Sequence, residues 1–382
     1  MAITDHGDMF GIKEFHDYVN GVNKGRKKEG LEPFKPIFGC EMYVARRRKE
    51  NKVKDMHDNS GYHLIVLAKN YQGYKNLIKL VSHSWVDGFY YRPRTDRVDL
   101  EKYHEGLIVC SACLAGEIPR NILKGDMKAA RETVEWYKKV FGDDFYLELQ
   151  RHEVKDPTLV ANRDAFPLQQ KVNRVLLQFA KEYNIKYVCT NDCHFEDKET
   201  AEAHDHLLCL ATQESLDSPT RMRYSKQEWF KTREEMNDVF ADVPEALSNT
   251  LEILNKVEMY SIDNGPIMPV FPIPESFGTE EEWRKKFTEQ QLYEEFTTDE
   301  NDENPLSPED GQAVIKRLGG YKEIYRIKFE ADYLSKLAHD GAKKLYGDPI
   351  PEDVQKAITF ELHVMKTMGF PGYFLIVQDF IN

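Results

Sequence analysis

Several things are scarce in this chain, and each scarcity excludes a class of protein. No apolar run approaches the roughly 18 residues that a membrane span needs. Met1-Ala2-Ile3-Thr4 does not read as a secretory leader. There are only six cysteines in 382 residues, at positions 40, 110, 113, 189, 193 and 209, each inside an apolar, strand-like or helix-like stretch. That distribution suits buried thiols in a reducing cytoplasm and argues against a disulfide framework. Cys110-Ser-Ala-Cys113 has CxxC spacing, but no second such pair exists to close a zinc ribbon. Basic residues are outnumbered, 52 against 65 acidic, leaving a net charge of −13. Overall electrostatics therefore does not hold the chain to nucleic acid, and any polynucleotide contact needs a local basic patch.

What is present describes a soluble globular protein long enough for two or three domains, with 41% hydrophobic and 31% charged residues. The first 195 residues alternate short apolar runs with amphipathic stretches. Strands are expected at 36–44, 63–68, 107–110, 145–149 and 186–190, and helices at 10–20, 74–81, 118–123, 127–141 and 167–183. Such alternation predicts an α/β fold with a mostly parallel sheet, open or closed into a barrel, whose continuous apolar runs are covered on both faces. From Asp197 the pattern turns helical, with expected helices at 200–211, 225–240 and 244–259. Pro266, Pro269, Pro272 and Pro274 make an extended connector. The acidic stretch 297–311 has almost no apolar groups and reads as an insertion. Helices resume at 312–317, 324–338 and 351–368, and the apolar segment 369–382 follows.

Two short segments concentrate chemistry. Thr4-Asp5-His6 and Thr190-Asn191-Asp192-Cys193-His194 each follow an apolar run and place a carboxylate beside an imidazole. On a continuing strand, Asp192 and His194 would point the same way and Cys193 the other. Chemistry in α/β folds gathers at the carboxyl ends of strands. Two such pairs, one near each end of the first half, suggest a metal site; polar strand caps are the plain alternative. Imidazole and carboxylate suit divalent cations, with thiolate tolerated by zinc, so Asp5, His6, Glu41, Cys113, Asp192 and His194 are candidate ligands. His63 stands at the entrance of its apolar run, where periodicity gives it no support. His204 and His206 diverge on a helix and make poor joint ligands, and histidines 16, 57, 83, 104, 152, 339 and 363 read as structural or solvent-facing. Arg46-Arg47-Arg48-Lys49 reads as a solvated loop. Tyr90-Tyr91-Arg92-Pro93-Arg94 interleaves aromatic rings with guanidinium groups, which marks Arg92 and Arg94 as candidates for phosphate contact.

These residues also carry a family resemblance. ITDHG at 3–7, FGCEMYV at 38–44, HLIVLAKN at 63–70, GFYYRPR at 88–94, SACLAGEIPR at 111–120, FYLELQRH at 145–152 and TNDCHF at 190–195 resemble the PHP domain of bacterial replicative DNA polymerase III alpha subunits. MGFPGYFLIVQDFI at 368–381 is similar to the segment entering that family's palm domain. The match runs in order along nearly the whole chain; the acidic insertion alone lacks a counterpart. The resemblance implies a PHP-type distorted (β/α) barrel at 1–265, a connector and insertion at 266–311, and the beginning of a palm at 312–382, within a mostly helical C-terminal region. It implies a cluster of up to three divalent metals, zinc, manganese or magnesium, with His6, Glu41, His63, Cys113, Asp192 and His194 as ligands and Asp5 as ligand or support. His63 is raised by the resemblance alone. In complete members a metal-activated water attacks a phosphodiester, as a 3′–5′ exonuclease or pyrophosphatase.

Against that pattern, the chain starts after the family's first strand with its HxH pair, so an incomplete metal site and an uncovered strand edge are expected. The polymerase carboxylates would lie beyond Asn382, so no polymerase catalytic residue is assignable. The implied parent is a cytoplasmic DNA-directed DNA polymerase using magnesium, with primer-template DNA, deoxynucleotides, the sliding clamp, other replisome subunits and a proofreading subunit as partners, and no membrane. A stand-alone metal-dependent phosphatase and a non-catalytic PHP scaffold are the alternatives.

Overall fold

Runs rich in Val, Ile, Leu and aromatic residues, broken by Gly, Pro and Asn-Gly-type punctuation, favour strands over helices in the first part of the chain. The computed structural model describes residues 1–154, 161–264, 269–298 and 305–381, and its strands are β1 Ala2–Ile3, β2 Ile37–Ala45, β3 Gly61–Ala68, β4 Arg94–Thr95, β5 Leu107–Cys110, β6 Phe145–Gln150 and β7 Tyr187–Thr190. Their order is β1-β2-β3-β5-β6-β7, with β4 paired to β2 beyond the end of β1. The sheet is mixed. β1/β2, β2/β4, β5/β6 and β6/β7 are parallel, whereas β3 runs antiparallel to both β2 and β5. The expectation of a mostly parallel sheet therefore needs one correction, the reversed β3. β2 and β6 are buried along nearly their whole length, as strands covered on both faces must be.

Helices cover this distorted, barrel-like sheet. Tyr71–Val86 starts where the Asn70 side chain accepts from Gly73 N–H, satisfying one of the orphan donors of the first turn. Met127–Phe141 buries Ala130, Val134 and Tyr137, and Phe166–Tyr183 buries Val172, Leu176 and Phe179, all in one core with Met42, Leu64, Val109 and Leu147. A further helix, expected over 225–240, forms only at Arg233–Val239. Thr232 starts it with a reciprocal cap to Glu235, and in the stretch before it the Glu228 and Ser225 side chains accept from the backbone N–H groups of Ser225 and Gln227.

Residues 1–263 form one compact unit and residues 264–382 a second, against an expected boundary at 265. Pro269 to Pro274 are non-helical, as their rings demand. The expected connector nevertheless contains two helices, Glu280–Lys286 and Glu289–Thr297, each opened by a Thr capping box. Leu292 and Phe296 of the second pack with Ile315, Leu318, Ile324 and Ile327, so they belong to the core of the second unit. The middle of the acidic insertion, 299–304, lies outside the described residues. Pro308–Arg317, Tyr321–Tyr346, Glu352–Thr367 and Pro371–Ile381 complete that unit, and no described helix is long and apolar enough to cross a membrane.

Candidate metal centre

The ends of four strands, β1, β3, β5 and β7, meet the middle of β2 at one mouth of the sheet. The chain leaves β1 through His6, which bridges to Glu41 in the middle of β2, and Gly7 N–H donates to the Glu41 carbonyl at 2.9 Å. Gly7 has φ +70°, the left-handed region that a side chain disfavours, and there the backbone turns away just after presenting His6. Because β3 is antiparallel, it enters the sheet at the end where its neighbours leave it. That reversal brings His63, near the start of β3, to the mouth opposite Tyr43. Cys113 follows β5 through Ala112, itself at φ +61°, and Asp192 and His194 follow β7.

The side chains converge. Glu41 Oε1 lies 2.7 Å from His63 Nδ1, and Glu41 Oε2 lies 3.4 Å from His6 Nδ1. Cys113 Sγ is 3.6 Å from His63 Nδ1 and 4.0 Å from Glu41 Oε1. The His6 ring is 5.3 Å from that of His63 and 5.7 Å from that of His194. Donor atoms of His6, Glu41 and His63 all lie within 4.8 Å of one another. Ligand atoms around one tetrahedral zinc, with bonds of about 2.0–2.3 Å, sit roughly 3.3–3.8 Å apart, so these spacings suit a divalent cation after small side-chain adjustments.

Electrostatics points the same way. Burial and then the Glu41 charge push the Asp192 carboxyl up to about 6. Burial, Asp192 and Glu41 push the Cys113 thiol well above its usual range. Burial also works to raise Glu41, but the His63 hydrogen bond and the charges of His6, His63 and His194 outweigh it and hold the carboxylate below its ordinary value. Burial lowers His6, favouring the neutral imidazole that ligates metal. The charges of Glu41 and Asp192 disfavour ionisation of Asp192 and of the Cys113 thiol, and a bound cation would relieve that repulsion while releasing their protons.

Several expected residues stand elsewhere. Asp5 turns from the cluster: its Oδ2 accepts from Gly11 N–H at 3.2 Å, at the start of the helix Ile12–Lys28, where a carboxylate complements the dipole. This corrects its candidacy as a ligand. Arg94 is not available to phosphate either. It is fully buried, and its guanidinium donates to the carbonyls of Gly88, Asn51, Asp58 and Lys49, where it ties loops together. Arg92 is exposed, 5.8 Å from the Tyr43 ring, and its charge is felt at His6. Asp192-Cys193-His194 does not continue the strand. Asp192 has φ +50°, and the exposed Cys193 donates to the Trp229 carbonyl at 3.4 Å. Pairing of Asp192 with His194, 3.9 Å apart, comes from a turn and not from strand alternation.

Some participants escaped the sequence reading. Glu148 in β6 is buried and accepts from Ala112 N–H, Thr190 Oγ1 and Gln150 Nε2; burial, with Asp192 and Glu41, pushes it up to about 7. Its signal was a lone acid in the apolar run Phe145–Leu149. Tyr224 donates to His194, and His204 packs beside both. A second group, His16, Asp17 and Asp263, has ligand-like spacing, but Lys13 already lies 2.5 Å from Asp17 and 2.9 Å from Asp263 and neutralises it.

The family model described as PHP domain matches residues 1–152, and the one described as bacterial DNA polymerase III alpha NTPase domain matches residues 332–382. DNA polymerase III subunit alpha of Borreliella burgdorferi is 38% identical over 100% of this chain and 27% of its own length. The proteins of the same name from Campylobacter jejuni and Thermus aquaticus are 34% and 33% identical, again over 100% of this chain and over 28% and 30% of their own lengths. The chain thus spans less than a third of the curated relatives it matches. With a mixed barrel-like sheet and a histidine–carboxylate–thiol mouth, the chain is similar along its whole length to the opening part of bacterial DNA polymerase III alpha subunits, and residues 1–152 match the PHP domain.

Proposed function

We propose that His6, Glu41, His63, Cys113, Asp192 and His194 hold divalent metal for phosphoester hydrolysis, in a subunit whose whole length carries out templated DNA synthesis. The convergence of Glu41, His63, Cys113 and His6 within 4.0 Å steps, from four separate segments, carries this reading. A cation held there supplies Lewis acidity and an acidified water. The thiol of Cys113 favours zinc, and the carboxylates and imidazoles also accommodate manganese; magnesium serves polymerisation in the whole subunit. Glu41 orients His63 and His6, and Arg92 on the rim offers its charge to the phosphate. The substrate class is a nucleic-acid 3′ end or pyrophosphate. Primer-template DNA, deoxynucleotides, the sliding clamp, other replisome subunits and a proofreading subunit are the partners, in the cytoplasm.

The test compares purified protein with zinc or manganese on 3′-ended single-stranded DNA, pyrophosphate and p-nitrophenyl phosphate. Release of nucleotides or phosphate from the first two, abolished by chelation, supports the reading. Turnover confined to the small phosphomonoester points to a general phosphatase. One observation favours a second, non-catalytic reading: Glu41 is already bonded to His63 and close to His6, so the cluster satisfies itself as a scaffold. Purification without stoichiometric metal, and none taken up on titration, decides for the scaffold.

A further inference from the structure

We infer that Tyr224 competes with the divalent cation for His194, holding the imidazole's free nitrogen until metal arrives; this rests on the metal-site reading above. His194 Nδ1 lies 2.7 Å from the Asp192 carbonyl oxygen. A carbonyl only accepts, so Nδ1 carries the proton and Nε2 the lone pair. Tyr224 Oη is 3.0 Å from that Nε2 and donates to it. The atom of His194 that a cation would take is thus already in use by a phenol.

The arrangement is held in place. The Tyr224 ring packs 4.4 Å from that of His194 and 5.1 Å, edge-on, from that of His204. On one side Arg221 makes a two-pronged pair with Asp205, at 2.6 and 2.7 Å. On the other, buried Ser225 gives its N–H and hydroxyl to Glu228 Oε1 at 2.9 and 2.5 Å. The backbone at 224 is pinned between two anchors, so rotation of the side chain alone frees His194. Released, the hydroxyl is a donor at the mouth, suited to an anionic phosphoryl oxygen. Tyr224 is in this sense a positioning residue. It keeps the imidazole in its ligating tautomer and sets a modest threshold for metal uptake.

Tyr224→Phe removes the hydroxyl and keeps the ring. Calorimetric titration of the full chain with Mn²⁺ or Zn²⁺ should show binding about fivefold tighter in the variant, the worth of one ordinary hydrogen bond. Metal should also perturb the ultraviolet tyrosine spectrum of the unaltered protein, and less so that of Tyr224→Phe. Side-chain nitrogen resonances of His194 give an independent reading: without metal, Nε2 should shift between the two proteins. Unchanged or weaker metal affinity in Tyr224→Phe overturns the inference while leaving the metal site standing. If the unaltered protein takes up no divalent metal, the site and the inference fall together.

Discussion

In residues 1–263 acidic groups are crowded together: Glu41, Asp192 and the Cys113 thiol share one mouth, and burial with the neighbouring carboxylates raises Asp192 and Cys113. In residues 264–382 one cluster pairs half-buried charges with opposite partners, Lys328 lying 2.9 Å from Glu295 and 2.7 Å from Asp332, and Lys366 lying 2.8 Å from the same Glu295, although buried Glu330 in the same unit is raised by burial. Paired charges of the second kind are self-sufficient and explain themselves as structure. Crowded charges of the first kind are costly unless something neutralises them, which is why perturbed acids in a cleft mark function. The second unit instead leaves apolar surface open, in a groove of about 670 Å³ lined by Leu334, Ile358, Leu362, Met365 and Phe374.

The largest expected effect probes what supports the crowded mouth. Arg94→Ala should destabilise the first unit by about 4 kcal/mol, because it orphans four carbonyls and opens a cavity. Urea unfolding followed by fluorescence measures it, and a loss below 1 kcal/mol would deny the buried role. In the second unit, Leu292→Ala should cost about 3 kcal/mol by leaving a void among Phe296, Ile315 and Ile324. It should lower only one of two unfolding transitions; a shift of both would merge the units.

Glu41→Gln should weaken divalent-cation binding by about two orders of magnitude, as calorimetry would read, since one change removes a ligand and the partner of two histidines. Its metal-free stability should fall far less, and a large fall would make Glu41 chiefly structural. The smallest effect is a pair of opposite pH dependences. Glu148 is raised from 4.5 to about 7, so in chelator its contribution is complete below pH 4.5 and is lost as pH climbs through 7. Glu295 is depressed: burial works to raise it, but Lys366 and Lys328 prevail, so its contribution holds above pH 4.5 and is lost on further acidification. Denaturation across pH 3 to 8 for Glu148→Gln and Glu295→Gln should flatten the neutral side in one variant and the acid side in the other.

Much of the first unit was legible because its signals are local. The apolar runs around Val66, Val109, Leu147 and Val188 became β3, β5, β6 and β7 within a residue or two. His63 was illegible from periodicity because parallel alternation was assumed, and strand direction is a tertiary property. Only the antiparallel β3 explains why a residue at the beginning of a run sits where others end theirs. Arg94 was misread for a related reason: a basic residue between aromatics reads the same whether it faces water or four buried carbonyls. Tyr224 was hidden because it stands just before an expected helix, 225–240, whose first turns do not form: the Glu228 side chain accepts from the backbone of Ser225 and Gln227 there instead. In the second unit the connector's prolines masked Leu292 and Phe296, whose burial depends on helices later in the chain.

The mouth joins His6, at the front of the first unit, to His194, near its far side. An ion spanning that pair would act as a cross-link closing a loop of roughly 190 residues, worth on the order of 5 kcal/mol of chain entropy withdrawn from the unfolded ensemble. Chelation would then do more than silence chemistry: it would loosen the tether between the opening segment and everything that follows β7. Thermal unfolding of the first unit, rather than any local probe, would register the ion most strongly.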